Sequence, residues 1–392
     1  ELENSIGNSL IAMYAKCGAL KDAQNIFDKL SDRDAIAWTS LIAGYAEHEC
    51  SKEALTYFQL MQLEGVNGDA VTYSCFLKAS GSIQAMKEGQ NFHSQAIMYG
   101  FEKDSIVGNT LVGMYTKCGS CLEAQETFDN LPVKDTVSWN ALISGYVEYA
   151  PLDALACFQC MCDGKLCPDA VTFALALKAC GTVGSITIGR DIYSQVVSVG
   201  LQDATVSNCL ISMYTGCGSI SEAQYVFDTL QDTNVVAWST MIKAYGMHHD
   251  GHMAVKLFEE MQKEGVKPHA LLFSCLLTAC SHSGQVTDGW ECFVFLKEYY
   301  CTNSDHCACV IDLFGRAGLL KEAENMMYHC PVQPTIMSFM SMLSSCRYQG
   351  DVIRGECAAN HVLELNMKST APFYMLKCIY SIADEYESSA MP

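Results

Sequence analysis

The feature that most constrains this chain is an internal repeat with a period of about one hundred residues. The string MYAKCGALKDAQNIFDKL begins at Met13, and closely similar strings begin at Met114 and Met213. Each copy is followed, at nearly the same offset, by a tryptophan, which is Trp38, Trp139 or Trp238. Matched landmarks at a near-constant spacing indicate that one structural unit recurs along the chain.

Within each copy, apolar residues at helical spacing predict a pair of short helices. Ile11 and Tyr14 share one helical face, Gly18 interrupts the pattern, and Ala23 and Phe27 begin a second face. A helix pair of this size cannot bury its apolar face alone, so neighbouring pairs must stack. The sequence therefore predicts an all-α, right-handed α-α superhelix, a solenoid of stacked helical hairpins. Small residues are expected where paired helices approach closely, namely at Ala23, Ala124 and Ala223.

The copies divide further into units that each hold one helix pair. We expect about ten such units over residues 1–335. Their predicted bounds are 4–34, 35–69, 70–104, 105–135, 136–169, 170–203, 204–234, 235–269, about 270–303 and about 304–335. After them the pattern decays, although residues 336–392 still contain helical segments.

Cysteine usage favours free thiols in a reducing compartment. The chain has 22 Cys, and Cys17, Cys118 and Cys217 recur at one place in the repeat, too far apart for one bridge. The clusters 157–167 and 301–309 have spacings that could hold zinc, but the segment with Cys157 and Cys160 also presents apolar residues to the core. We therefore predict no metal.

The net charge of −20 excludes a protein that holds nucleic acid mainly through phosphates. Nucleic-acid binding would require base contacts to dominate, with the acidic residues lying mainly on the convex side. No apolar run approaches the length needed to cross a bilayer, so no membrane association is expected. The chain begins at Glu1 without a signal-peptide pattern, so a targeting segment is expected to have been lost.

With these strings the chain resembles the plant-type pentatricopeptide-repeat (PPR) proteins that alternate short, ordinary and long repeats. NSLIAMYAKCG from Asn8 is similar to the short type, WNALISGY from Trp139 to the ordinary type, and VTFALALKACG from Val171 to the long type. CACVIDLFGRAGLLKEAENMM resembles a final short repeat, and 336–392 resembles a degenerate, truncated E-type extension. The resemblance implies a mitochondrial or chloroplast protein that needs no cofactor.

The resemblance also implies that the chain binds single-stranded RNA, one base per repeat, through two side chains of each unit. The first reading position, early in the first helix, holds Asn8, Thr39, Ser74, Asn109, Asn140, Ala174, Asn208, Ser239, Ser274 and Ala308. The second reading position, the last residue of the unit, holds Asp34, Asp69, Asp104, Asp135, Asp169, Asp203, Asn234 and His269. Aliphatic residues three positions before the first would sandwich the base, and these are Ile36, Val71, Ile106, Val137, Val171 and Val236.

Carried over unit by unit, the resemblance implies a target sequence. The Asn/Asp units are expected to read U, Thr39 with Asp69 to read G, and Asn208 with Asn234 to read a pyrimidine. The expected RNA is UG-x-UU-x-Y, with the N-terminus toward its 5′ end. The implied role is site recognition on organellar transcripts for C-to-U editing or other processing, with a deaminase or other editing factor acting in trans through the C-terminal extension.

Simpler interpretations compete with these assignments. An Asp before a helix can serve only as a cap, whereas an Asn that recurs inside helices is unfavourable there and favours a surface role. The three repeat tryptophans and the methionines favour core packing over RNA stacking. A protein-binding helical-repeat scaffold is the alternative function. No enzyme activity is predicted, because the sequence has no His-x-Glu, phosphate loop or nucleophile elbow.

Overall fold

The computed structural model describes residues 2–201, 203–230, 233–330, 332–366 and 370–390. These residues form helices and turns and contain no strand, so the predicted all-α class is confirmed. The chain divides into two compact units, an N-terminal unit of residues 1–217 and a C-terminal unit of residues 218–392. The predicted extension 336–392 includes residues 367–369 and 391–392, which lie outside the described residues.

The N-terminal unit is a series of helix pairs. The first helices of the pairs are α1 (Leu2–Lys16), α3 (Ala35–Glu47), α5 (Ala70–Ser82), α7 (Ser105–Lys117), α9 (Thr136–Tyr149), α11 (Ala170–Val183) and α13 (Ala204–Gly216). The second helices are α2 (Leu20–Lys29), α4 (Ser51–Leu63), α6 (Met86–Met98), α8 (Cys121–Asp129), α10 (Pro151–Asp163) and α12 (Ile186–Val199). A single 3-10 turn, Phe101–Lys103, precedes α7.

The C-terminal unit continues the alternation of first and second helices. It begins with a second helix, α14 (Ile220–Asp228), followed by α15 (Val235–Met247), α16 (Gly251–Lys263), α17 (Ala270–Ser283), α18 (Val286–Tyr299), α19 (Ser304–Arg316), α20 (Leu320–His329), α21 (Ile336–Gln349), α22 (Val352–Leu365) and α23 (Ala371–Ala390). Odd-numbered helices are therefore first helices throughout, and α23 follows the last pair.

Stacking is carried by the first helices. In the N-terminal unit each first helix packs against the first helix of the next pair, from α1 through α13. Each second helix packs against its own first helix and against the first helix that follows. In the C-terminal unit α15, α17, α19, α21 and α23 form the same succession. Because the first helices contact one another directly, each unit presents a continuous layer of first helices, as the repeat predicted.

Each tryptophan of the repeat packs in the core against a phenylalanine of the preceding second helix. The ring centroids of Phe27 and Trp38 lie 4.6 Å apart in an edge-to-face arrangement, and Trp139 and Trp238 repeat this contact. Trp38 and Trp238 are buried, which confirms their interpretation as core residues, and Trp139 is partly buried against the core that includes Trp38. The small residues Ala23, Ala124 and Ala223, which were predicted at the contact of paired helices, are fully buried, as are Met61, Met161 and Met261.

The turn inside the short helix pairs requires glycine. Gly18 has φ +75° and Gly119 has φ +76°, in the left-handed region that residues with a Cβ rarely adopt. This conformation ends the first helix and lets the chain reverse within a few residues. The glycine that interrupts the apolar pattern is therefore what separates the two helices.

The free-thiol prediction was wrong for one pair of cysteines. Cys307 on α19 and Cys330 at the end of α20 form a disulfide, whereas the other twenty cysteines are free. The pair occupies a site where the two helices of a short unit touch. In the first unit the same site holds Gly7 and Leu30, and a Cβ added to Gly7 would lie 2.6 Å from a Leu30 methyl group. Two cysteines placed there are therefore brought side by side.

Membrane insertion finds no support in the helices. Among the described residues, none of the helices combines the length and the apolar character that crossing a bilayer requires.

The close packing of first helices predicts opposite effects for two helical glycines. A Cβ on Gly145 would overlap the Cβ of Thr116 on the preceding first helix, whereas a Cβ on Gly113 would meet no atom within 4 Å. Gly145→Ala should lower the free energy of unfolding by roughly 1–3 kcal/mol through overpacking. Gly113→Ala should leave it unchanged or raise it by up to about 1 kcal/mol through helix propensity. Thermal unfolding of both variants checks this, and equal midpoints would contradict it.

Candidate RNA-binding surface

The last residue of each predicted unit caps the first helix of the next unit. Asp34 accepts a hydrogen bond from the Ala37 N–H at 2.9 Å, and Asp135 accepts one from the Ser138 N–H at 2.8 Å. The capping interpretation is therefore correct for this column of residues. The same role is played by Asp69, Asp104, Asp169, Asp203, Asn234 and His269.

Three asparagines of the first reading position bond directly to the capping carboxylate. The Asn8 Nδ2 donates to both carboxylate oxygens of Asp34 at 3.0 Å. The Asn140 Nδ2 lies 3.1 and 3.3 Å from those of Asp169. Asn109 makes the corresponding bond to Asp135. The structure thus brings together the two side chains that were predicted to read one base in each of these units.

The remaining reading positions behave differently. The Thr39 Oγ1 lies 2.6 Å from the Thr72 Oγ1. The Ser74 hydroxyl donates to the Val71 carbonyl oxygen at 2.8 Å. The Ser239 hydroxyl donates to its own helix and lies 3.4 Å from the His269 Nε2. Half-buried residues at this position also include Asn208, Ser274 and Ala174, whereas Ala308 is buried.

The predicted base-sandwiching residues form an exposed aliphatic column, which we call the sandwich column. They lie two residues after each cap, and their exposed fractions are 63% for Ile36, 47% for Val71, 55% for Ile106, 61% for Val137, 56% for Val171 and 52% for Val236. Large aliphatic groups that remain exposed at one recurring position indicate a surface that binds something. Sequence reasoning missed two members, Leu271 and Met337, which also follow a cap by two residues.

The amide oxygens of two reading asparagines have no hydrogen-bond partner. Asn8 itself is only 8% exposed, so it is more buried than a surface role predicts. Its Oδ1 and that of Asn109 are inaccessible to solvent and accept no hydrogen bond. Leaving such an acceptor unsatisfied costs about 1–3 kcal/mol. The first reading positions, which together we call the reading column, thus contain polar atoms that make no hydrogen bond in the free protein.

Charge is distributed unequally between the two kinds of helix. The first helices α1 to α21 carry seven basic and five acidic residues, whereas the second helices α2 to α22 carry ten basic and twenty-one acidic residues. Most of the helical negative charge therefore lies on the second helices. On three first helices an exposed lysine lies seven residues after the sandwich column, on the same helical stripe, and these are Lys78, Lys178 and Lys243.

Two of the capping carboxylates, Asp135 and Asp169, have depressed pKa values. The backbone N–H of Ser138 is the main cause for Asp135, and the Ser138 hydroxyl and the Asn109 amide also lower the pKa of Asp135. Burial alone would raise the pKa of Asp169, but hydrogen bonds from Thr172 and Asn140 outweigh it and lower that pKa. Both carboxylates are therefore held in the charged form that can accept a hydrogen bond from an amide.

Neither cysteine cluster forms a metal centre in the part of the chain that the structure describes. No group of three or more His, Cys, Asp or Glu side chains there could hold a metal ion.

Removing the charge of Asp135 should change how stability depends on pH. The folded-state pKa lies below the unfolded value, so the stabilisation by this carboxylate is complete above the unfolded pKa and is lost as pH falls through the folded-state value. Asp135→Asn should be less stable than the parent near neutral pH, and the difference should shrink between about pH 5 and pH 3. Urea unfolding across this range checks it. A difference that stays constant would contradict the assignment.

Comparison with known proteins follows the same repeats. The sequence model of the PPR repeat matches residues 8–34 and 36–66, and that of the PPR repeat family matches residues 233–282. A chloroplastic pentatricopeptide repeat-containing protein of Arabidopsis thaliana is 35% identical over 387 residues, which cover 98% of this chain and 48% of the relative. A mitochondrial one is 31% identical over 390 residues, covering 98% of this chain and 70% of the relative.

Solved structures share the fold. The crystal structure of the pentatricopeptide repeat protein PPR10 from maize matches with a TM-score of 0.65 at 17% identity, covering 97% of this chain and 62% of that one. The same protein in complex with an 18-nt psaJ RNA element matches with a TM-score of 0.71 at 15% identity, covering 97% and 60%. The fold is thus an all-α helical-repeat superhelix. The chain spans 48% and 51% of the length of two of its curated relatives. Near-complete alignment to such relatives makes this chain a member of the pentatricopeptide-repeat family.

Proposed function

We propose that this chain is a sequence-specific single-stranded RNA-binding protein that acts on organellar transcripts. One observation carries the proposal. Within each unit, first helices present a stripe with an exposed aliphatic residue and a reading side chain, joined by an exposed lysine on α5 and α11 of the N-terminal unit and on α15 of the C-terminal unit. A base needs a flat apolar contact for its face, hydrogen bonds for its edge and a cation for its phosphate.

The distribution of charge supports this proposal. Phosphates would approach the first helices, where basic residues slightly outnumber acidic ones, and would avoid the second helices, where acidic residues outnumber basic ones two to one. Base contacts would then contribute more of the affinity than in a strongly basic protein. The solved PPR10 complex contains an 18-nt RNA element, which is consistent with this use of the fold.

The role we propose is recognition of a site for C-to-U editing or other RNA processing. In this proposal residues 1–335 form an array of short, ordinary and long repeats that selects the transcript. Residues 336–392 form an E-like extension to which a deaminase or other editing factor binds in trans. A mitochondrial or chloroplast location is supported by the names of the relatives, which include both compartments.

A protein-binding scaffold is the competing function, because helical-repeat arrays also bind peptides. A peptide groove would use the exposed aliphatic residues equally well. It gives no reason for an amide bonded to a carboxylate to recur at Asn8, Asn109 and Asn140. The recurrence therefore favours a ligand that presents a hydrogen-bonding edge at each unit.

The first test is binding to synthetic RNA. The chain should bind RNA that contains UG-x-UU-x-Y more tightly than a scrambled RNA of equal composition, and the preference should persist from low to moderate salt because base contacts are not screened as phosphate contacts are. Fluorescence anisotropy with both RNAs at two salt concentrations measures this. Equal binding of both RNAs, or no binding of either, would favour the scaffold function.

A substitution at one reading position should change the preferred base. Asn109→Thr, with Asp135 kept, recreates the Thr39/Asp69 combination and should move the preference at the fourth nucleotide from U toward G. Binding of RNAs that carry each of the four bases at that nucleotide measures the change. If the substitution only lowers the melting temperature, Asn109 is a structural residue.

The exposed lysines on α5, α11 and α15 should contribute to RNA binding independently of the RNA sequence. The triple variant of Lys78, Lys178 and Lys243 to Ala should weaken matched and scrambled RNA by the same factor, and it should reduce the slope of log Kd against log salt by up to about 2. A matched control replaces Lys52, Lys87 and Lys256, which are exposed on second helices, and should leave binding unchanged. A loss confined to the matched RNA would contradict the phosphate role.

A further inference from the structure

The third residue of one first helix lies between the two reading side chains of the preceding unit. In α11 this residue is Thr172, whose side chain is fully buried. Its Oγ1 lies 2.7 Å from the Asn140 Oδ1 and 2.8 Å from the Asp169 Oδ1. It also accepts the Asp169 backbone N–H at 3.2 Å. One hydroxyl therefore contacts both members of the pair that is proposed to read a base.

The Thr172 hydroxyl satisfies more hydrogen-bonding groups when it donates to the Asn140 Oδ1 than when it donates to Asp169. Asp169 already accepts the Thr172 backbone N–H at 2.8 Å and the Asn140 amide at 3.1 Å. The Asn140 Oδ1 has no other donor, so the hydroxyl satisfies an acceptor that would otherwise be buried without a partner. The carboxamide of Asn140 is then held at both ends, with its nitrogen on Asp169 and its oxygen on Thr172.

The other Asn/Asp units lack this second anchor. After Asn8 the third helix residue is Ala37, which has no hydroxyl. After Asn109 it is Ser138, whose hydroxyl donates to Asp135 at 2.8 Å, while the Asn109 Oδ1 accepts nothing. Three units with identical predicted reading residues thus differ in how firmly the reading amide is oriented.

A threonine at this position reaches the reading column in a second unit. The Thr72 Oγ1, on the third residue of α5, lies 2.6 Å from the Thr39 Oγ1. Threonine has a β-methyl group that restricts its χ1 angle, whereas serine lacks it. In both threonine units the hydroxyl contacts the preceding reading side chain, and in the serine unit it contacts only the cap.

We propose that the third residue of a first helix is an additional specificity-determining residue of the preceding unit, which acts by fixing the orientation of its reading side chain. The inference rests on the proposed function, because it concerns how firmly the same RNA base is selected. An amide held at both ends keeps one N–H and one lone pair in fixed directions for a base edge. Pre-orientation of this kind sharpens discrimination, because less rotamer freedom is lost on binding.

The test uses the full chain and RNAs that carry U, C, A or G at the fifth nucleotide, opposite Asn140 and Asp169. Thr172→Val removes the hydroxyl while it keeps the side-chain shape, and it should reduce the preference for U at that nucleotide about fivefold, the worth of one hydrogen bond. Thr172→Ser restores a hydroxyl and should recover part of the preference. Preferences at the other nucleotides should stay unchanged.

Ser138 provides the matched control and a gain of function. Ser138→Ala removes an equivalent capping box in α9 without touching Asn109, so it should lower stability as Thr172→Val does but leave the preference at the fourth nucleotide unchanged. Ser138→Thr should bring a hydroxyl to the Asn109 Oδ1 and increase the preference for U there. If Thr172→Val does not fold, the Ser138→Thr variant tests the inference by itself.

The outcomes separate this inference from the function on which it rests. If the parent chain prefers U at the fifth nucleotide and Thr172→Val keeps that preference in full, the inference is wrong and the RNA-binding function stands. If the parent chain binds all the RNAs equally or not at all, the inference and the proposed sequence-specific RNA binding are both wrong. A loss of U preference in Ser138→Ala equal to that in Thr172→Val would reduce the effect to a loss of the cap and would also overturn the inference.

Discussion

The junction between consecutive helix pairs depends on one carboxylate. It accepts the first free backbone N–H groups of the following helix, which would otherwise lack partners. In three units it also accepts the amide of the asparagine in the preceding first helix. The same charge thus fixes where one helix begins and where the previous unit holds its reading side chain. In the proposed function, recognition and folding would share this carboxylate, so neither interpretation of the Asp column excludes the other.

That sharing is compatible with the proposed binding of RNA to an acidic chain. The carboxylates of Asp135 and Asp169 are negative, but hydrogen bonds from neighbouring donors hold their pKa values low and occupy their acceptor positions inside the protein. What faces outward on the same helices is aliphatic at Ile36 or Val137, and cationic at Lys78 or Lys178. The net charge of −20 arises mostly from elsewhere, with a large part on the second helices. Total charge is therefore a poor guide to the potential at any one face of a repeat protein.

The structural features that depend on residue spacing and residue size could be predicted from the sequence. The apolar periodicity and Gly18 predicted the helix pairs, and the repeat tryptophans were correctly placed in the core. What could not be predicted depends on the direction of single side chains. Asn8 is more buried than Asn140, although the sequence predicts the same base-reading role for both residues. The bond between Thr172 and Asn140 joins residues 32 apart, so only the structure shows that the two side chains meet.

In the proposed function, the orientation of the reading amide gives a physical reason why one base would be preferred. An amide such as that of Asn140, held by Asp169 and Thr172, keeps its second N–H and its second lone pair in fixed directions. Uracil presents one N–H between two carbonyl oxygens, so an amide with a free lone pair and a remaining N–H can pair with two neighbouring groups of that edge. Cytosine offers an acceptor at the position where uracil offers its N–H, and the oxygen of Asn140 would then meet another acceptor. In the proposed function, selection would therefore come from the base that pairs with an oriented amide and from the repulsion of the base that cannot.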